Sequence, residues 1–340
     1  MIGKVFFTCT KYLIFAVFLC FVISCKNREK PPELITEQAA GETQKSEDEP
    51  ETTQTNLQEN KIQVSYQGSY SFPQSVGGRV NTRELNPVNY ENPNLDVLKQ
   101  MGAQQYLISF LAGEQHYKAG DYDKALLEYN ASINSNGNYA EALISRGNAY
   151  LKKGDYSRAI DDYTRSIRLD SVKAEVYNYR GYARAERGEY IPAIEDFTRA
   201  VSLNRNYVDA LINRSHSYYQ TGDYDKTIED CNQIIRLEPS NAYIWNRRGS
   251  AWYQKRNEDR AIADFTEAIR LRSDYAVAFY NRGNALYSKG ELDKSLADLN
   301  RAISINPSFA DAYTSRGNIF RMMGINESAE ADFATARRLK

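Results

Sequence analysis

The sequence predicts an all-α chain built as a solenoid of antiparallel helix pairs, and three observations carry that prediction. A 34-residue pattern, AEALISRGNAYLKKGDYSRAIDDYTRSIRLDSVK over residues 140–173, returns from Ala174, Val208, Ala242, Ala276 and Ala310, and backwards from Tyr106. Each copy holds two apolar-periodic runs of about a dozen residues, the signature of two amphipathic helices. Between the runs lies a turn such as Lys153-Gly154-Asp155-Tyr156 or Thr221-Gly222-Asp223-Tyr224, in which Gly suits the left-handed end of one helix and Asp the start of the next. A fixed period of this length marks stacked hairpins, each burying its apolar face against its neighbours.

Taken from the start, residues 1–24 read as an export signal. Lys4 and Lys11 supply positive charge, and the apolar run Tyr12 to Ile23 is shorter than the about 20 residues of a spanning helix. The ending Val22-Ile23-Ser24-Cys25 resembles the lipobox of bacterial lipoproteins, which implies lipidation of Cys25; the competing reading is an uncleaved signal anchor. Residues 25–93 form the lipidated N-terminus and a linker. Up to about Asn60 this stretch is rich in Glu, Thr, Gln and Pro, too polar to offset the entropy of ordering, and reads as a spacer. Over residues 61–93, Tyr66, Tyr70, Phe72 and Tyr90 alternate with Gly and Pro, either as an irregular linker or as a segment that docks on the solenoid or a partner. An N-cap at Asn94 followed by Leu95, Leu98 and Met101 predicts a leading helix over 94–105.

Composition narrows the function classes. A formal net charge of -1 with 26% charged residues gives no basic excess for nucleic acid. Cys231 is left as a lone thiol in the mature chain and takes the repeat position of Phe197 and Phe265, so it reads as a small core residue. His116 and His216 lie in different repeats without metal-like spacing, and no phosphate loop or nucleophile elbow appears; no cofactor, metal or catalytic residue is assigned. The 26 tyrosines stand out, and part of them must serve packing.

In the first helix of each unit the eighth position is small (Gly147, Gly181, Gly249, Gly283, Gly317), as are Ala159, Ala193, Ala261 and Ala329 in the second; a ring at position 24 (Tyr163, Phe197, Phe265, Phe333) fills the space between. With Tyr150 and Tyr218 at position 11 and Pro239 and Pro307 near the end of a unit, this pattern resembles the tetratricopeptide repeat family. The resemblance implies a right-handed superhelix of seven repeats over 106–340, at 106–139, 140–173, 174–207, 208–241, 242–275, 276–309 and 310–340. Ser215 in place of Gly and Arg256-Asn257 in place of Gly-Asp are local departures.

The seventh position, often Leu in that family, is Arg146, Arg180, Arg214, Arg248, Arg282 and Arg316, while position 23 is Asp162, Asp196, Asp230, Asp264, Asp298 and Asp332. Two antiparallel helices turning near position 16 bring these to one height, so a ladder of Arg–Asp pairs, each within its own repeat, is expected. The first repeat, with Ala112 and Glu128, lacks the rung.

By the same resemblance the first helices line an inner face that binds peptides. Its candidates are Asn148, Asn178, Tyr182, Asn213, Tyr219, Asn246, Arg247, Tyr253, Tyr280, Asn281, Asn284, Tyr287 and Asn318, with His216 and Arg321 beside them. Asn can pair with both donors and acceptors of a peptide backbone, and Tyr adds contact area. The family's basic carboxylate clamp is missing, since position 5 carries no Lys. The expected function is therefore a non-enzymatic, membrane-anchored scaffold binding segments of bacterial envelope proteins, facing the periplasm or the cell surface. The alternative is a small-ligand-binding lipoprotein serving a transporter, and self-association through the C-terminal repeat is a further expectation.

Overall fold

A computed structural model describes Leu95 and residues 104–339, and every regular element from Gln105 onward is an α-helix. Fourteen helices form seven hairpins: α1 Gln105–Lys118 with α2 Tyr122–Ser135, α3 Ala140–Lys152 with α4 Tyr156–Leu169, α5 Ala174–Glu186 with α6 Tyr190–Leu203, and α7 Val208–Gln220 with α8 Tyr224–Leu237. They continue as α9 Ala242–Gln254 with α10 Glu258–Leu271, α11 Ala276–Ser288 with α12 Leu292–Ile305, and α13 Ala310–Met322 with α14 Asn326–Leu339. Each helix packs chiefly on its neighbours in sequence, and the first helices of consecutive hairpins also touch.

The hairpin turn follows from its residues. Gly154 takes φ +75°, where a Cβ is disfavoured, and the Asp155 N–H closes α3 on the Tyr150 carbonyl at 2.9 Å. The Asp155 carboxylate then accepts from the Arg158 N–H at the start of α4. In the fifth repeat Arg256 adopts φ 59° and Asn257 accepts from the Arg260 N–H, so the departure keeps the turn at a backbone cost. Between repeats, Asn136, Asp170, Asn204 and Asn306 each accept from the backbone N–H two residues on, which fixes the link to the next hairpin.

Hairpin closure depends on the glycine opposite the ring. A Cβ on Gly147, Gly181 or Gly249 would lie 2.7 Å from the ring of Tyr163, Phe197 or Phe265 respectively. In the fourth hairpin ring and glycine are both replaced, buried Ser215 lying opposite buried Cys231 in an exchange of volume, whereas the sixth keeps Gly283 opposite Leu299. Burial pushes the Cys231 thiol up to about 12, so it is a neutral core group. Buried residues of α1 to α6 form one apolar cluster and those of α10 to α13 another; around Cys231 the cluster shrinks to Leu211, Ile212, Ile234 and Ile244.

The seventh hairpin differs on the side where another would follow. The column Leu126, Ile160, Ile194, Ile228, Ile262 and Leu296 is buried or half-buried in the first six repeats, whereas its seventh member is exposed Glu330. The column of Ile133, Ile167, Val201, Ile235, Ile269 and Ile303 likewise ends in exposed Arg337. These two columns, apolar in the first six repeats, are thus charged on α14, where self-association through the C-terminal repeat was expected.

Candidate interaction face

Along the stack runs a ladder of six identical rungs. Arg146 donates through Nε and Nη2 to the two oxygens of Asp162 at 2.8 and 2.6 Å, and the same fork joins Arg180 to Asp196, Arg214 to Asp230, Arg248 to Asp264, Arg282 to Asp298 and Arg316 to Asp332. The third arm of each guanidinium reaches back one repeat, a link the sequence reading did not foresee. Nη1 donates to Asn130, Asn232 and Asn300 at 2.6 Å from Arg146, Arg248 and Arg316, and to Thr164, Thr198 and Thr266 at 3.1 to 3.3 Å from Arg180, Arg214 and Arg282. The first repeat has no arginine of its own and contributes Asn130 to the rung of the second.

Aromatic rings flank every rung. Arg146 lies 6.0 Å from the Tyr150 ring centre, Arg180 5.7 Å from Tyr177, Arg214 5.8 Å from Tyr218, Arg248 4.7 Å from Trp245, Arg282 5.6 Å from Phe279 and Arg316 5.5 Å from Tyr313. The cost of the arrangement is visible in the acids: burial pushes the carboxyls of Asp162, Asp230 and Asp264 up despite the guanidinium opposite. The rungs thus contribute geometry more than net stability.

The expected groove residues are placed differently from an open peptide track. Asn148, Asn178, Tyr182, Asn213, Asn246, Arg247, Tyr253, Tyr280, Asn281 and Asn284 are all buried, at 4% exposure or less, while Tyr219, Tyr287 and Asn318 are half-buried. The physical reason is that the amides bond one another from repeat to repeat. Asn213 donates to Asn178 at 3.0 Å and Asn281 donates to Asn246 at 3.1 Å. Asn148 accepts from the Tyr163 hydroxyl at 2.6 Å, and Tyr253 meets Ser288 at 2.9 Å. Tyr280 bonds Asn284 and Ser315, and burial pushes its hydroxyl up to about 12. Arg247 Nη1 lies 2.9 Å from His216 Nδ1 and its guanidinium 4.8 Å from the Tyr243 ring; burial first, and Arg247 second, hold the His216 pKa well below its usual value, which keeps the ring neutral. Most of the asparagine column is therefore inter-repeat wiring, and the half-buried residues are what remains for contact. Exposed Arg321 adjoins Asn318, to which it donates at 3.2 Å.

One buried acid was missed. Glu114 accepts from Tyr129 at 2.7 Å and bonds Ser145, and desolvation carries its carboxyl to about 7. The pair repeats the Tyr163–Asn148 geometry one unit earlier: where position 24 is Tyr, position 9 is an acceptor. That covariation within the chain was the available signal.

A cavity of about 420 Å³ opens between α10, α11 and α12, lined by Asp259, Ile262, Arg282, Leu286, Lys289 and Asp298 among others. Its charges are paired, Lys289 with Asp259 at 2.7 Å and Arg282 with Asp298 at 2.7 Å, an arrangement unlike the enclosed apolar site a small-ligand carrier needs. Among the described residues no group of three or more His, Cys, Asp and Glu could hold a metal, and no helix is long and apolar enough to cross a membrane. Cys25, the signal over 1–24 and the linker to residue 93 lie outside the described residues.

Family models of the tetratricopeptide repeat match residues 140–171 and 212–276, and a TPR repeat model matches 283–324. No curated protein matches the chain. Among solved structures, a tetratricopeptide repeat protein of Parabacteroides merdae is 19% identical, with a TM-score of 0.58 over 70% of this chain and 94% of its own. The C-terminal part of a TPR repeat-containing protein of Cytophaga hutchinsonii is 16% identical, with a TM-score of 0.58 over 68% of this chain and 95% of its own. YrrB, described as a TPR protein with an unusual peptide-binding site, is 18% identical, with a TM-score of 0.52 over 58% of this chain and 98% of its own.

Proposed function

Because this chain belongs to the tetratricopeptide repeat family, whose members mediate protein–protein interactions and are typically non-catalytic, we propose that it is a scaffold held at a bacterial membrane by lipid on Cys25. The observation that carries the scaffold reading is the unbroken ladder: each arginine binds its own hairpin and the one before, so seven hairpins keep one register and present side chains at fixed spacing. The residues offered to a protein segment are the half-buried ends of the first helices, Tyr219, Tyr287 and Asn318, with Arg321 beside them. The polar stretch 26–60 supports the anchored part of the reading, since it would set the hairpins off from the headgroups.

Two measurements test the two parts. Growth with labelled palmitate should mark the chain and not its Cys25→Ser variant; equal labelling, or label in neither, refutes the anchor. Crosslinking in cells, followed by a comparison with Tyr219→Ala/Tyr287→Ala/Asn318→Ala, should show at least one protein adduct lost. If every adduct survives, this face is not where partners bind.

A further inference from the structure

The tip of the seventh hairpin reverses the chemistry of the six before it. Met322, Met323 and Ile325 are exposed at 62%, 43% and 41%, around Gly324 with φ +76°. In the preceding repeat these positions hold Ser288, Lys289 and Glu291, and in the fourth Gln220, Thr221 and Asp223. The change sacrifices two stabilising contacts. Lys153, Lys255 and Lys289 each pair with an aspartate on the tip before theirs, Asp123, Asp225 and Asp259, which Met323 cannot do. Asp121, Asp155, Asp223 and Asn257 each cap their helix through the side chain, which Ile325 cannot do. Packing accounts for it only at Met322, whose sulfur accepts from the Tyr287 hydroxyl at 2.9 Å; all three side chains keep a large share of their surface in solvent.

We propose that this tip dips into a lipid bilayer. The three side chains expose far less than the about 800 Å² per partner that a stable protein interface buries, so they are too small to hold a second copy or a folded partner. A bilayer requires no matching pocket, and apolar side chains on a protruding turn partition into its headgroup boundary in proportion to their area. Exposed Arg321, next in sequence, supplies a cation for anionic headgroups, opposed by exposed Glu327 and Glu330 on the first turns of α14, so the apolar side chains carry the contact. The inference rests on the membrane-held reading above: the N-terminal lipid keeps a bilayer within reach, and the tip gives the solenoid a second point of contact.

The test uses the full chain in phosphatidylcholine–phosphatidylglycerol vesicles, with a fluorophore on Met323→Cys and, as a control, on the equivalent Lys153→Cys. Nitroxide-bearing lipids should quench the first label by about half and leave the second almost unchanged. Adding Met322→Gln and Ile325→Asp, which restores residues found at other tips and so preserves the turn, should cut the quenching about fivefold or more. Chains that float with the vesicles while the Met323→Cys label stays unquenched overturn the tip contact and leave the anchor standing. Chains that do not float overturn both. A spectral change that grows with protein concentration in the absence of lipid assigns the tip to a second copy and overturns the proposal.

Discussion

Replacing Asp264 with alanine strips one rung of its acid while leaving Arg248 in place. The pair is well buried, with the side chains 18% and 7% exposed, and the arginine would keep Asn232 at 2.6 Å as its remaining side-chain acceptor. Breaking a buried pair on one side costs about 3 kcal/mol, because the other charge stays in place without compensation. Arg248→Leu alone should cost about 2 kcal/mol, less because Asp264, already pushed up by burial, can protonate. The double change Arg248→Leu/Asp264→Leu puts apolar volume on both sides and should cost about 1 kcal/mol or less. The two single costs would then exceed the double by about 4 kcal/mol, a coupling that marks a register-setting pair. The chain's two tryptophans, Trp245 and Trp252, both lie on α9, so urea unfolding followed by their fluorescence reports on this hairpin. If the double variant loses as much as the two singles together, the rung stabilises in its own right and the reasoning is wrong.

Three further outcomes are expected. Arg256→Gly relieves the left-handed backbone of the fifth turn and should add about 1 kcal/mol, read as a higher urea midpoint; an unchanged or lower midpoint refutes strain there. Glu114, with its folded pKa raised from 4.5 to about 7, binds a proton in the folded state that the unfolded chain releases in that window. Its contribution is complete below pH 4.5 and falls by roughly 3 kcal/mol by pH 7, so Glu114→Gln should flatten the stability–pH curve over that range; parallel curves would exclude the group. Gly249→Ala, whose Cβ would sit 2.7 Å from Phe265, should cost about 3 kcal/mol, whereas Gly283→Ala, at 3.2 Å from the flexible Leu299, should cost about 1 kcal/mol; equal losses in thermal melts would contradict the ring-against-glycine account.

The period alone was enough to place fourteen helices, because a landmark repeated every 34 residues leaves one arrangement of caps and turns. Arg and Asp sixteen residues apart were equally legible, since antiparallel geometry puts them level. The asparagines were not. Asn213 looks the same in sequence whether it meets a bound peptide or Asn178, and only the packing of successive first helices, which brings residues 35 apart together, decides for the neighbour. The backward arm of the arginine was visible in principle, as a column that holds only Asn or Thr from Asn130 to Asn300. It escaped notice because both residue types also suit an ordinary solvated helix face. Tyr129 and Tyr163 differ from Phe197 and Phe265 by one hydroxyl; of the acceptors that this hydroxyl calls for, Asn148 stood among the groove candidates and Glu114 was assigned no role.

The two-way reach of each arginine also says where such an array can grow. An inserted middle unit brings its own arginine and acid, finds the Asn or Thr of its predecessor, and offers its own to the unit after. Duplication inside the array therefore leaves the ladder intact, whatever the number of copies. Beyond α14 the situation changes: the position that should offer Asn or Thr is Ala334, so an added hairpin would find no acceptor for its third arm. The ladder has a direction, and lineages of this protein should differ in length by whole units gained or lost between the first hairpin and the last.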